Sequence, residues 1–338
     1  MAEARFTVRA CGPLVSYQDG GRPGMMRFGV AASGPMDRLA HATAQAALGQ
    51  PEGATALEVS LGGLELVCDT GEVSFGVTGG EFQVVHGGAT VKSGCVRTVR
   101  AGETLAIRPG RWGSWAYLAF CGDLECRPWA GHSATHSTSG LGGGLLASGA
   151  TLVVRQAAVC EEREGELPAP AFAHAHPRVR IVLGPQTEHF EAGGVERLLA
   201  EGYSVSSACD RMGMRLEGPA LPLRQALSIP SEPIVRGSIQ VNGEGVPSIL
   251  LADHQTTGGY PKIATVVSCD LDAVAQRRPR DVVRFEAVEA AQAVALARAH
   301  AAAARAFLAG VGLRRGTLLE RLFGHNLVSG MVRAGWED

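Results

Sequence analysis

Apolar and polar residues alternate in short runs through the first half of the chain. LGGLELVC (61–68), EVSFGVTG (72–79), EFQVVHG (81–87) and GSWAYLAF (113–120) each place apolar side chains at a period of two, with Gly, Pro or Asp at their bounds. That period marks strands with one buried face, and the regular return of turn residues predicts a β-rich unit. One stretch breaks the pattern. Residues 37–49 carry Ala and Leu at helical spacing, with Ser33 or Asp37 as cap and Gly49 at the end, which predicts a helix. Residues 161–176 (EEREGELPAPAFAHAH) shift abruptly to charge, then to Pro and Ala, and read as a linker. Alternation resumes at residue 178, takes a helical insertion near 190–201, and closes on VVRF (282–285). Residues 286–308 are almost pure helix former, and a short helix over 317–323 precedes an apolar, strand-like HNLVSGMV (325–332). The predicted class is mainly β with a few helices: a β-rich unit over 1–170, a second over 176–287, and a helical tail over 288–338.

Composition narrows this picture. A chain of 338 residues exceeds one average domain, and 45 Gly against 4 Tyr and 4 Trp point to many tight turns between short strands. A net charge of -2 gives no pull toward nucleic acid or an anionic membrane, so small molecules or other proteins are the expected partners. No unbroken run of eighteen apolar residues occurs, so no membrane span is expected. The opening MAEARFTVRACG places Glu3 where a signal peptide wants positive charge and then alternates like a strand, which predicts a cytoplasmic protein. The 8 cysteines are scattered through apolar segments and read as small buried hydrophobes in a reducing compartment, without disulfides.

Candidate chemistry concentrates in residues 250–263, LLADHQTTGGYPKI. Asp253 and His254 can move protons, Gln255, Thr256 and Thr257 donate and accept hydrogen bonds, Gly258 and Gly259 admit close backbone approach, and Lys262 supplies a cation. By spacing alone a plain hairpin explains the twin glycines; the polarity on both sides of them favours a binding loop. A second group is Asp210 and Arg211 with Arg215 and Glu217, which reads either as structural ion pairing or as a device presenting Arg211 to an anion. A third is residues 18–37, QDGGRPGMMRFGVAASGPMD. Helix capping accounts for Ser33, Pro35 and Asp37 there and leaves Gln18, Asp19 and Arg22 for substrate or partner contact.

Cys121, Cys126, His132 and His136 follow the spacing C-x4-C-x5-H-x3-H, which can in principle hold zinc, but intervals this irregular arise easily and no metal is expected. There is no Walker loop, no H-E-x-x-H and no G-x-S-x-G, and the glycines at 140–144 fail the dinucleotide spacing.

Four segments, 18–37, 207–221 (SACDRMGMRLEGPAL), 237–245 (GSIQVNGEG) and 250–263, together resemble the biotin-dependent carboxyltransferase family. The branch they resemble holds the 5-oxoprolinase C subunit and allophanate hydrolase subunit 2, similar to carboxyltransferase subdomains A and B of urea carboxylase. The resemblance runs from about Phe6 to about Phe285 and implies a cyclophilin-like barrel in the second half. It places Asp253, Gln255, Tyr260 and Lys262 near an active cleft, and 18–37 close to a partner subunit. It departs from the family at two positions, where Ser133 and Thr138 stand in place of arginines, and Pro-Gly-Asp has become Pro279, Arg280, Asp281. No lysine lies in the Met-Lys-Met context of biotin attachment, so biotin, if used, arrives on another protein.

Both activities of the family act on an unreactive amide: carboxyl transfer to urea, or ATP-coupled opening of the 5-oxoproline lactam to glutamate through a phosphorylated amide. Either needs a proton carrier, oxyanion donors and a cation. The resemblance thus implies Asp253 as proton carrier, Arg211 and Lys262 as charge stabilisers, and Gln240, Asn242, Thr256 and Thr257 as orienting groups, with Asp210, Gln255, Gly258, Gly259 and Tyr260 around the substrate. A lone chain without a carrier lysine or nucleotide loop favours the multisubunit 5-oxoprolinase, with ATP used by the complex, a carboxyltransferase half resembling that enzyme's B subunit, and a third hydrolase-like subunit. A biotin-dependent carboxyltransferase, or a non-catalytic regulatory partner like relatives associated with a sporulation kinase inhibitor, stands as the alternative.

Overall fold

A computed structural model describes residues 2–173, 177–224 and 229–313. The first half forms two antiparallel sheets. One runs Asp123–Leu124, Thr151–Arg155, Glu3–Cys11, Leu64–Thr70, Thr104–Arg108, Gln83–His86, Ala89–Lys92. The other runs Gly165–Glu166, Cys95–Arg100, Glu72–Thr78, Ala116–Phe120, Ala56–Val59, Ser16–Gln18. Their inner faces meet through Phe6 and Phe120, whose ring centroids lie 5.2 Å apart, and through Phe75 against His86 at 5.4 Å. Burying each phenylalanine contributes roughly 1.5–3 kcal/mol. Residues 165–166, read as linker from sequence, pair with Cys95 and Val96 as an edge strand.

The helix expected over 37–49 is α1, Arg38–Leu48. The Asp37 carboxylate accepts the Ala40 N–H at 2.9 Å as its N-cap, and Gly49 closes it at φ 69°, a left-handed position suited to glycine. Its alanines let it lie flat on the strands Glu72–Thr78 and Ala116–Phe120.

The second half closes as the seven-stranded barrel expected there: Val179–Leu183, Lys262–Val266, Ser238–Val241, Pro247–Leu250, Gly213–Glu217, Gly202–Cys209, Val282–Ala287. The ring is completed by parallel pairing of its first and last members. Two short helices attach to it, α2 (Gly194–Ala200) and α3 (Leu271–Ala275). The barrel is tied to the sheet pair by side chains reaching across to backbone: Arg278 donates to Gly113 O and Gly110 O, and Gln276 accepts from Ser114 N and Trp115 N and donates to Trp115 O.

The alanine-rich tail forms α4, Ala290–Gly312, which packs on α1 of its own chain, as self-packing of an alanine surface predicts. Arg163 donates to Ala47 O and Gly312 O and so clamps the carbonyl ends of both helices. Phe172 stacks edge-on against His300 and Phe307. By length and composition alone, the 23 residues of α4 are apolar enough to cross a membrane; Arg298 and Arg305 interrupt the run, and the helix rests on α1. The helix and strand predicted over 317–332 lie outside the described residues.

Candidate functional site

Arg211 organises the junction between the two halves. Asp210 accepts the N–H groups of Met212 and Gly213 at 2.7 and 3.1 Å, building a tight turn that throws Arg211 inward. Arg211 donates through Nε and Nη2 to both oxygens of Asp253, each at 2.9 Å, through Nη2 to Gly34 O at 2.7 Å, and through Nη1 to Glu58. Arg211, Asp253 and Glu58 are all 0% exposed. Glu58 comes from the opposite half, where strand pairing sets it beside Tyr117. The Tyr117 hydroxyl donates to Glu58 at 2.8 Å and accepts from Asp37 N at 2.7 Å.

The electrostatics follow from that burial. Desolvation works against the charge on Arg211, yet the facing carboxylates of Glu58 and Asp253 more than offset it and hold the guanidinium protonated. Desolvation likewise pushes the Asp253 carboxyl up, but Arg211 prevails and keeps it below the usual carboxylate value. This corrects the expectation of an open crevice. Asp253 and Arg211 do meet, but they neutralise each other inside the protein, so neither presents an unspent charge to a substrate.

The open space lies directly beside them. A cleft of about 310 Å³ is lined by Gly29, Val30, Ala31, His136, Ser139 and Leu141 from the first half and by Met212, His254, Gln255, Thr256 and Thr257 from the second. His136 sits on the floor: its Nδ1 accepts from Ser139 N at 3.2 Å, so its Nε2 carries the proton and donates to Asp253 O at 3.3 Å. His254 has the opposite tautomer. Its Nδ1 lies 2.6 Å from Gln255 O, a group that only accepts, so the proton is on Nδ1 and Nε2 is the basic nitrogen. Burial lowers the His254 pKa and keeps the ring neutral. Nε2 has no hydrogen-bond partner among the described residues.

Over residues 28–287 the chain matches the family model of the carboxyltransferase domain, subdomain A and B. It belongs to that carboxyltransferase family. The chain is 34% identical to the 5-oxoprolinase C subunit of Haemophilus influenzae over 287 residues, covering 84% of this chain and 91% of that protein. The solved structure of TTHA0988 superposes with a TM-score of 0.74 at 30% identity, and this chain, 84% covered, spans 55% of it. The K. lactis urea amidolyase gives a TM-score of 0.80 at 25% identity over 91% of this chain and 20% of that one.

The remaining predicted positions of this carboxyltransferase chain separate into cleft and scaffold. Gln255, Thr256 and Thr257 line the cleft, and Gln255 Nε2 donates to Gln240 Oε1 at 3.2 Å, so the buried Gln240 orients it from behind. A Cβ on Gly258 would come within 2.6 Å of the Gln240 side-chain Nε2 and displace it, and one on Gly259 would sit 3.0 Å from Ile229 O. Tyr260 is exposed beside them. Lys262 is not the free cation expected: its Nζ is 3.0 Å from Glu232. Asn242 accepts from Glu244 N and Val246 N and so builds a hairpin turn instead of facing a ligand. Arg215 pairs at 3.5 Å with exposed Glu244.

In segment 18–37 the polar residues are internal struts. Gln18 donates to Ser16 Oγ and Thr135 O, and Asp19 accepts from Gly21 N and Ser133 N. Arg22, 0% exposed, donates to Ala134 O and to Ser33 Oγ and lies over the Trp129 ring. They hold the 133–137 loop, which ends on the Ser137 N–H bonded to Asp253 at 2.8 Å. The candidate zinc set disperses: Cys121 lies against Cys160, His132 against Asp19, and His136 against Ser139.

Sequence reasoning missed Glu58 and Tyr117. Each is the one hydrogen-bonding side chain in an apolar strand, ALEV and AYLAF, and that isolation was the available signal.

Proposed function

We propose that this chain is the counterpart of the C subunit in an ATP-dependent, multisubunit 5-oxoprolinase that opens the 5-oxoproline lactam to glutamate. It works in the cytoplasm against a carboxyltransferase half resembling the B subunit, together with a third hydrolase-like subunit. The observation that carries this reading is coverage. The chain covers 91% of the Haemophilus influenzae 5-oxoprolinase C subunit at 34% identity but 20% of the K. lactis urea amidolyase at 25%, and this fuller and more similar match supports the 5-oxoprolinase reading.

The cleft supports amide chemistry. The Gln255 side chain and the Thr256 and Thr257 hydroxyls both donate and accept, matching the N–H and C=O of a lactam. His254 Nε2, rather than Asp253, is the proton acceptor, since both Asp253 oxygens are held by Arg211. Arg211 and Asp253 position the floor through Ser137 and His136.

The charge around the cleft supports placing the nucleotide on another subunit. The two cations expected near the cleft are spent on carboxylates, Lys262 on Glu232 and Arg211 on Glu58 and Asp253, leaving neither to neutralise phosphates. ATP is therefore handled by a partner subunit, and biotin enters only if carried by another protein.

The test is to reconstitute the chain with its two partner subunits and follow ATP-dependent conversion of 5-oxoproline to glutamate. Carboxylation of urea or a similar amide by the assembled set would move the protein to the carboxyltransferase alternative. Assembly without turnover of either would make it a regulatory subunit.

A further inference from the structure

A second cavity, of about 500 Å³, lies between the start of α1, the 167–172 linker segment and α3, and shares no lining residue with the cleft. Its volume falls within the range of small-molecule sites. Trp112, Leu39 and Phe172 give it an apolar wall.

Most of its charged groups are already committed. Arg180 is gripped by Asp270 through Nε and Nη2, and Arg178 donates to Leu199 O and Phe285 O. Asp37 accepts from Ala40 N and Gln276 Nε2, one on each oxygen. Glu81 stands exposed at the rim. Two groups are left over. Asp272 accepts from Leu39 N through Oδ2, while its Oδ1 is buried without a hydrogen bond; the nearest cation, Arg38 Nε, is 3.5 Å away on a half-exposed side chain. Arg277 has no ion pair among the described residues, and its Nε is buried with no acceptor.

A buried donor or acceptor left without a hydrogen bond is costly, and one atom of each kind on the wall of the same cavity, Asp272 Oδ1 and Arg277 Nε, asks for a ligand bearing both charges. Asp272 stands on α3 and Arg277 just beyond its C-terminal end, and both line the cavity. We propose that this cavity binds a small zwitterion of the α-amino acid class with an apolar side chain. Its ammonium meets Asp272, its carboxylate meets Arg277, and its side chain lies between Trp112, Leu39 and Phe172.

Calorimetric titration of the full chain with three probes decides the matter: L-phenylalanine, phenethylamine, which keeps only the ammonium, and 3-phenylpropanoate, which keeps only the carboxylate. L-phenylalanine binds, with a change in Trp112 fluorescence that Trp112→Phe removes, and each one-charge probe binds roughly tenfold weaker or worse. Asp272→Asn erases the preference over 3-phenylpropanoate, and Arg277→Gln erases the preference over phenethylamine, with circular dichroism confirming that each variant folds. Absence of L-phenylalanine binding at millimolar concentration, equal binding of the three probes, or preferences that survive both substitutions overturns the proposal. The wild-type panel stands by itself if a variant does not fold.

Discussion

Asp253 and Arg211 meet side-on through two hydrogen bonds of 2.9 Å each, at a depth where neither side chain reaches solvent. Removing Asp253 takes away two charge-assisted hydrogen bonds from a buried guanidinium that keeps Glu58 and Gly34 O. Asp253→Asn is expected to destabilise the chain by about 1.5–3 kcal/mol, read by urea unfolding. The pH dependence follows from the lowered Asp253 pKa. A carboxylate held below its ordinary value contributes stability that is complete above about pH 4 and is lost as pH falls through the folded value. Wild type should therefore lose stability in that acid range, and the variant should lose less. Equal acid slopes would remove Arg211 as the cause.

Asp37 behaves in the opposite sense. Burial, reinforced by neighbouring Asp272, pushes its pKa up to about 7 despite its bonds to Gln276 and Ala40. Between about pH 4 and pH 7 the folded chain holds a proton there that the unfolded chain releases. Stability from this group thus falls as pH rises across that window, by at most about 1.4 kcal/mol per pH unit. Asp37→Asn keeps a capping residue and removes the titration. The thermal midpoint of the variant should fall less steeply than that of wild type between those pH values.

The β-rich halves, α1 with its cap, and α4 were all legible in the sequence, because periods of two and of 3.6 are written by local burial. The site was legible only in part. Within the polar run 253–262, Gln255, Thr256 and Thr257 line the candidate cleft. What local pattern cannot show is which partner a charge meets. Arg211 read either as structural ion pairing or as an anion ligand, and the choice stayed open because Glu58, 153 positions away, is invisible as its neighbour until the two halves pack. Lys262 looked free because Glu232 reaches it from a short edge strand, and Asn242 looked like an orienting group when its side chain closes its own turn.

Arg163 joins the carbonyl ends of α1 and α4, donating to Ala47 O at 3.4 Å and to Gly312 O at 3.0 Å. A cation at two helix C-termini contributes about 0.3–1 kcal/mol at each. Arg163→Ala should leave the global unfolding midpoint nearly unchanged and loosen α4 locally. Hydrogen exchange would show this as faster exchange over 290–312 with the strands of the sheets unaffected; uniform acceleration would argue against a local clamp.

His254 carries the sharpest functional prediction. Its Nδ1 proton is fixed by Gln255 O, so a substitution that keeps a donor there but removes the basic nitrogen isolates the proton-transfer role. His254→Asn in the reconstituted complex should lower kcat by roughly 10²–10⁴-fold with little change in KM. Because burial sets the His254 pKa below 6.5, wild-type kcat should fall on an acid limb lying below that value, and the residual activity of the variant should lack that limb. Lys262→Ala serves as the contrast. Its Nζ is bound to Glu232, whose own side chain is half-exposed, so the substitution removes an ion pair and leaves the carboxylate in contact with water. If Lys262→Ala abolishes turnover while His254→Asn is silent, the proton acceptor has been placed on the wrong side of the loop, and the cation regains the role the sequence suggested.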